Sequence, residues 1–444
     1  MTAAGLQTRP RLYHGWIVAG MAFLALALVF GGRFSLGLFI PFLPEALDAT
    51  AGSVSLVFAV SMLTAGAFQP IAGIMADRLG SRFVLLLGLG FGGAAFAGTG
   101  LATELWQVAL FMAIGGGIAF ACVSPVLATS LMTQWFSRHR GRALAVVTSG
   151  GKVAMVVLVP ILSVIIALFG WRYGLVALGL AVWALIPLIW ILVRSSPEEM
   201  GLHPDGDAAP QRSPISSAGT AAAPDGTAAP AAERWRIPQA LRTGAFWLLA
   251  VVLFGNGFVM NLVFLHLPSY ILEHGYGQAL AAGGLTVLGA VGIAGNLVIG
   301  TLSDRLDRKH VLALLFAARG LVTLLIVIAP NPVSLIVFAV VFGLLGYGAI
   351  AVIGSITAHL FGRASIGTIM GAAYVLNQLG GACGIYAGGL SYDLTGAYEP
   401  ALLVAVVTAF VSFLAVLALP RDSLPMPPAA ATAGSRETGS ERRV

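Results

Sequence analysis

Two cations stand in the middle of long apolar runs, where a charge needs a partner. Lys152 follows Gly150-Gly151 inside the run 142–168, and Arg33 lies in Gly32-Arg33-Phe34-Ser35-Leu36-Gly37 near the end of the run 14–40. A cation at the centre of a bilayer costs about 2.5–3.5 kcal/mol on insertion scales, so it needs a counter-charge or a wet cavity. Lys152 sits about ten residues into its run, roughly 15 Å along a helix and close to the midplane. No Asp or Glu lies inside any apolar run. The charge that Lys152 is placed to compensate is therefore that of an anion arriving from solution, with Arg33 as its helper. The competing readings are a lysine satisfied by helix-end carbonyls or an Asn/Gln, and an arginine that snorkels to the outer interface.

Neutral polar groups share these runs and could line the same space. They are Asn256 and Asn261 in the seventh run, Tyr347 in the tenth, and Tyr374, Asn377 and Gln378 in the eleventh. Asn377 and Gln378 are adjacent, so on a helix they point about 100° apart and only one can aim straight inward. Phe34, Phe254, Phe258 and Phe342 could stack on a planar solute, although phenylalanine is ordinary packing in such runs. His266 has the right intrinsic pKa range for proton coupling, but a hydrogen-bonded structural role is the simpler expectation near a helix end. Arg319 lies in a run expected at the periphery, where a structural role is favoured. A phosphate-binding glycine loop, a metal-ligand spacing and a Ser/His/Asp arrangement are all missing from the sequence, so neither an enzyme nor a cofactor is expected.

The elements that must position these residues follow from composition. Of 444 residues 58% are hydrophobic and 9% charged, and mean hydropathy is +0.93. A soluble domain is nearer half apolar and a quarter charged. Twelve spans are expected, at 14–40, 53–76, 83–101, 105–133, 142–168, 171–193, 245–271, 279–302, 310–329, 332–359, 365–390 and 399–419. The net charge of +6 could suggest nucleic acid, but its placement excludes that reading. All but four of the 24 Lys and Arg fall on one side of the bilayer if both termini are cytoplasmic; the four are Arg33, Lys152, Arg172 and Arg319. The outer loops carry acids instead, so the positive-inside bias fixes the orientation. Arginine far exceeds lysine, and Ala and Gly are abundant, which fits a GC-rich bacterial genome and a cytoplasmic (inner) membrane. Cys122 and Cys383 both lie in apolar runs and report no redox compartment.

One phrase occurs twice, about half a chain apart. Gly73-Ile-Met-Ala-Asp77-Arg78-Leu79-Gly80-Ser81-Arg82 is echoed by Gly300-Thr-Leu-Ser-Asp304-Arg305-Leu-Asp307-Arg308-Lys309. A second echo pairs Trp135-Phe136 and Gly141-Arg142 with Leu360-Phe361 and Gly362-Arg363. The chain thus divides into two similar bundles, 14–194 and 244–420, oriented alike about an axis along the membrane normal. Residues 1–13 form a cytoplasmic N-terminus, and 195–243, rich in Pro, Ala, Gly and Ser, a flexible cytoplasmic linker. A short interfacial helix could close that linker at Arg234-Trp235-Arg236, and 421–444 reads as a disordered tail. Charges repeated at matched helix ends suit a latch that closes the cytoplasmic side in one state and releases in another.

Gly73–Arg82 resembles the loop motif of the major facilitator superfamily, and Gly300–Lys309 resembles its second copy. Finer features are similar to bacterial members of the monocarboxylate-transporter and oxalate–formate-antiporter branch. These are Tyr13-His14-Gly15-Trp16, Gly32–Gly37, Gly170-Trp-Arg172-Tyr-Gly174, Pro197-Glu-Glu-Met-Gly-Leu-His-Pro-Asp205 and His266-Leu-Pro268. The resemblance implies an all-α membrane protein of twelve helices in two pseudo-symmetric six-helix bundles. It also implies a monomeric secondary carrier that moves a small solute by alternating access. Members of that branch usually carry an arginine four residues before the second loop glycine, paired with the substrate carboxylate. Here Asn296 stands at that position, so the usual carboxylate partner is absent from it.

The combined expectation is transport of a small organic anion, a mono- or dicarboxylate. Two alternatives remain: efflux of amphipathic compounds bound by the aromatic lining, and a sensor that binds without transporting.

Overall fold

The structure, a computed structural model, describes residues 13–206, 235, 237–362 and 365–420, with the side chains at 297, 300, 304 and 366–368 excepted. The expected N-terminal segment, most of the linker, the Arg363 echo, the tail at 421–444 and the side chain of Asp304 lie outside the described residues.

Among the described residues all regular structure is helical, in twelve long helices and a few short helical turns between them. In the first half they are α1 (His14–Ser35), α2 (Ala51–Leu79), α3 (Ser81–Leu101), α4 (Leu105–Trp135), α5 (Arg140–Phe169) and α6 (Trp171–Leu192). The second half contains α7 (Gly244–Glu273), α8 (Gln278–Arg305), α9 (Arg308–Ile328), α10 (Pro332–Phe361), α11 (Ile366–Thr395) and α12 (Glu399–Ala418). Eleven of them are long and apolar enough to cross a membrane. The twelfth, α11, has 30 residues and carries Asn377, Gln378 and Asp393. Large apolar side chains such as Leu168, Ile328 and Leu394 stay exposed on the outer surface of the helices, as expected where lipid is the solvent.

The repeat legible in the sequence is a repeat in space. In the first half α1 packs on α5, α2 on α4 and α3 on α6; in the second α7 packs on α11, α8 on α10 and α9 on α12. Each pair maps onto its counterpart by advancing six helices. The halves meet along α2 with α11 and α5 with α8, two seams that the same operation exchanges. The seam nearest the acidic loops is tight. The Gly52 amide donates to the Asp393 carboxylate at 2.8 Å, and a Cβ on Gly389 would lie 2.6 Å from that of Ser55.

Both fourth helices are interrupted, a feature not expected from their continuous hydropathy. α4 contains a π-helical stretch, Ala109–Gly116, and breaks at Val123-Ser124, where Ser124 caps the next turn ahead of Pro125. α10 breaks at Tyr347-Gly348, between Pro332–Gly346 and Ala349–Phe361. The two breaks occupy corresponding places in the repeat, and each frees backbone carbonyls from the helical ladder for side-chain donors.

Residues 195–206, expected to begin the flexible linker, are held against the first half. The carboxylate of Asp205 accepts from the amide (2.9 Å) and hydroxyl (2.6 Å) of Ser137, the Arg138 amide (2.6 Å) and the His139 ring (3.2 Å). Burial alone would raise its pKa, but these donors outweigh burial and hold the carboxyl below the ordinary carboxylate range. The Tyr13 hydroxyl reaches the carbonyls of Trp135 (2.9 Å) and His203 (3.0 Å), while the Trp135 indole donates to the Arg194 carbonyl at 3.1 Å. The Tyr13–Trp16 and Pro197–Asp205 motifs are thereby joined in one clasp over the ends of α1, α4 and α6. At the other end of the linker Trp235 is buried against Phe361, and its amide donates to the Ser365 hydroxyl at 2.8 Å. It packs on protein rather than sitting among headgroups.

Candidate functional site

Lys152 lies near the middle of α5 and faces the opposite bundle. Its ammonium lies 5.1 Å from the centroid of the Tyr347 ring, at the break of α10. It also donates to the Asn296 carboxamide of α8, in the amide orientation that satisfies both partners. In that orientation the Asn296 nitrogen donates to the Tyr347 carbonyl at 3.3 Å. The Tyr347 hydroxyl returns to α5, at 3.1 Å from the sulfur of Met155. The helices approach this closely because Gly289 of α8 has no side chain; a Cβ there would meet that of Met155 at 2.6 Å. A cation on one bundle is thus surrounded by a carboxamide oxygen and a ring face on the other. Both are neutral, and among the described residues no carboxylate reaches Lys152.

Arg33 occupies a second position on the same seam. Its guanidinium lies 5.1 Å from the Phe120 ring centroid and 5.7 Å from that of Phe30. With Phe34, Phe58, Phe120, Asn261 and Phe264 it lines a cavity of about 30 Å³, room for a water or two in this closed arrangement. Tyr374 of α11 is its electrostatic neighbour. Among the described residues no carboxylate pairs with it. The two cations are linked by a row of rings: Phe34 is 5.0 Å from Phe264, which is 5.9 Å from Tyr347, under Lys152. Phe120, Phe264 and Met155 belong to this site, and nothing in their local sequence distinguishes them from ordinary packing residues.

The structure brings together Lys152, Asn296 and Tyr347, and separately Arg33, Asn261 and Tyr374. Gln378 faces α2 across the seam, with its Cγ 3.4 Å from where a Gly66 Cβ would be. Asn256 and Asn377 are engaged elsewhere. Asn256 accepts from Arg319 at 2.9 Å, and Asn377 donates to the Leu253 carbonyl at 2.9 Å, tying α11 to α7. Arg319 is fully buried and also donates to the carbonyls of Leu345 (2.8 Å) and Gly346, so it grips the strand of backbone that precedes Tyr347. His266 is buried too, with Nε2 2.8 Å from the Ile385 carbonyl and its ring against Tyr398.

The repeated phrase lies at the basic ends of α2 and α8. Gly80 joins α2 to α3 at φ +88°, a conformation that only glycine adopts without strain. Arg82 stacks on Trp190 at 4.5 Å, donates to that residue's carbonyl, and holds α3 to α6. Asp77, Arg78 and Arg305 are exposed, the Asp77 and Arg78 side chains make no hydrogen bond or ion pair among the described residues, and Gly73 has open space beside it. The repeated phrase is thus exposed at the basic ends, whereas the acidic-loop ends touch through Gly52–Asp393 and Gly389–Ser55. Arg172, in contrast, is satisfied at the far end of α3 by the carbonyls of Gly100 (3.3 Å) and Ala102 (2.5 Å).

Comparison with known proteins agrees with this architecture. The chain is 26% identical over 431 residues to an uncharacterized MFS-type transporter, YcxA, of Bacillus subtilis, covering 93% of this chain and 96% of that protein. It is 26% identical over 423 residues to monocarboxylate transporter 11 of Homo sapiens, covering 92% and 83% respectively. The fold matches a crystal structure of a bacterial homolog of the human lysosomal transporter Spinster, in an inward-facing and unoccupied conformation. That match has a TM-score of 0.69 at 16% identity, over 95% of this chain and 100% of the other. The family model described as Major Facilitator Superfamily matches residues 22–309 and 285–441. With two bundles related by a half-chain repeat and a paired loop motif between their helices, the chain belongs to the major facilitator superfamily and is a multi-pass membrane transporter, not an enzyme.

Proposed function

We propose that the protein is a secondary carrier of a small organic anion, a mono- or dicarboxylate. It works by rocking the two bundles about a central site in a bacterial cytoplasmic membrane. The carrying observation is Lys152: a cation at the seam between the bundles, among neutral groups, with no carboxylate in reach among the described residues. A cation in the bilayer interior costs about 2.5–3.5 kcal/mol. Asn296, the Asn/Gln partner that the sequence offered as the alternative, meets it with a hydrogen bond but no counter-charge, and an anionic solute supplies that charge. Arg33 adds a second positive site lined by aromatic rings. The similarity to monocarboxylate transporters supports the same class of solute. Asn296 stands where an arginine is expected, and Lys152, on the opposite bundle, brings the positive charge to that same spot. In this reading the basic ends face the cytoplasm, both termini lie there, and the released Asp77 latch marks a cytoplasm-open state.

The test is a thermal-shift screen of the purified protein against mono- and dicarboxylates, followed by uptake into proteoliposomes. A carboxylate is expected to stabilise the wild type and to be transported, and Lys152→Ala is expected to lose both effects while still folding and inserting. Unchanged uptake by Lys152→Ala would overturn the assignment. Efflux of amphipathic compounds is favoured by one observation, the ring-lined cavity at Arg33. On that reading neutral amphipaths bind and are unaffected by Lys152→Ala.

A further inference from the structure

We infer that Asn296 and Tyr347 act as a built-in stand-in for the bound anion, so that the empty carrier changes sides and the protein performs net transport rather than obligatory exchange. The inference rests on Lys152 being the counter-charge for the solute. A carrier whose central cation is left bare when the solute departs is held back from occluding, because closure would strip water from an uncompensated charge. Such a protein moves only when reloaded, which makes it an exchanger.

Here the bare state does not arise. Lys152 belongs to one moving bundle, while Asn296 and the ring of Tyr347 belong to the other. The contact therefore spans the two bodies without any solute. It lies at mid-depth, where two bundles rocking against each other are displaced least, so it can persist through the transition. The carboxamide is aimed in advance, because its nitrogen is held by the Tyr347 carbonyl and the Tyr347 hydroxyl is anchored to Met155, on the turn after Lys152. Both substitutes are neutral, so an ionised carboxylate, a stronger partner for an ammonium, can displace them. An Asp or Glu at position 296 would hold the lysine too well for that. Arg33 needs no such bridge, since Phe30 and Phe120, which cover it, ride on its own bundle.

The experiment uses no solute, which separates it from the anion assignment. In a Cys122→Ala, Cys383→Ala background, Ser55→Cys places a thiol in the sealed seam opposite Gly389. Its alkylation by a neutral maleimide, in lipid nanodiscs without added carboxylate, reports how often the empty carrier opens on the acidic-loop side. The parent is expected to label steadily. Asn296→Ala, and Asn296→Leu of similar size, are expected to label at least tenfold more slowly. Removing the charge as well, in Lys152→Ala with Asn296→Ala, is expected to restore the parent rate. Two results would overturn the inference: a parent that does not label until a carboxylate is added, or single variants that label at the parent rate. A double variant as slow as the single one would also overturn it, since Asn296 would then be acting through packing. Loss of the carboxylate response in the thermal-shift screen is read separately and bears on the anion assignment alone.

Discussion

Arg319 donates to Asn256 at 2.9 Å inside the second bundle, and the same guanidinium holds the carbonyls just before Tyr347. A buried cation on another helix, α9, thereby fixes the break in α10 that carries the ring over Lys152. Removing one member of such a network leaves the other polar groups unsatisfied, at about 1–3 kcal/mol for each group stranded. Arg319→Met is expected to lower the melting temperature of the purified protein sharply, and Asn256→Ala less so. A double-mutant cycle between them should give a coupling of about 0.5–3 kcal/mol; additive effects would show that the two act independently.

Arg33 is expected to contribute affinity. Its position in a ring-lined cavity, without an acidic partner among the described residues, predicts that Arg33→Gln raises the apparent KM for a transported carboxylate about tenfold, equivalent to about 1.4 kcal/mol. Arg33→Lys should fall between, because an ammonium keeps the charge but loses the planar stacking on Phe120. Initial-rate uptake at several concentrations decides this, and a lower maximal rate with unchanged KM would contradict it.

Asp205 supplies a pH-dependent contribution to stability. Its pKa is depressed in the folded protein, so the stabilisation is fully present above the unfolded value of about 3.9 and fades as pH falls from there toward the lower folded value. Asp205→Asn should reduce the melting temperature by a few degrees near neutral pH. The difference from wild type should shrink steadily once the pH is taken below about 4. Thermal melts across that range measure it, and a difference independent of pH would mean that the charge is immaterial.

The acidic-loop seam predicts a mechanical phenotype. Gly389 has no room for a side chain against Ser55, so Gly389→Val should prevent the bundles from closing there. The variant is expected to fold and insert but to lose transport. A Ser55→Cys thiol in it should react with maleimide rapidly, whether or not a solute is present; protection equal to that of the parent would refute the idea.

Much of the architecture was legible because it is written in long-range regularities. Hydropathy located the spans, charge asymmetry suggested their orientation, and the Gly73 and Gly300 phrases revealed the two halves. Intramembrane cations stood out for the same reason, since a lone Lys152 among apolar residues is costly and therefore informative. What remained hidden depends on partners far apart in the chain. The breaks in α4 and α10 leave no trace in average hydropathy. Asn256 and Asn377 look like lining residues in sequence, yet each is used by a neighbouring helix, Arg319 of α9 and the Leu253 carbonyl of α7. The ordered stretch 195–206 reads as linker because its order comes from one carboxylate, Asp205, meeting a loop 66 to 68 residues upstream. Periodicity reports which face of a helix is apolar, not which helix will lie against it.

The clasp formed by Tyr13, Trp135, His203 and Asp205 has a further consequence. A bundle whose first, fourth and sixth helices are knotted together at the base cannot splay when it tilts. Spin labels attached anywhere on α1, α4 or α6 should accordingly register one common rotation. Only pairs straddling the two bundles would then gauge how far the molecule has swung.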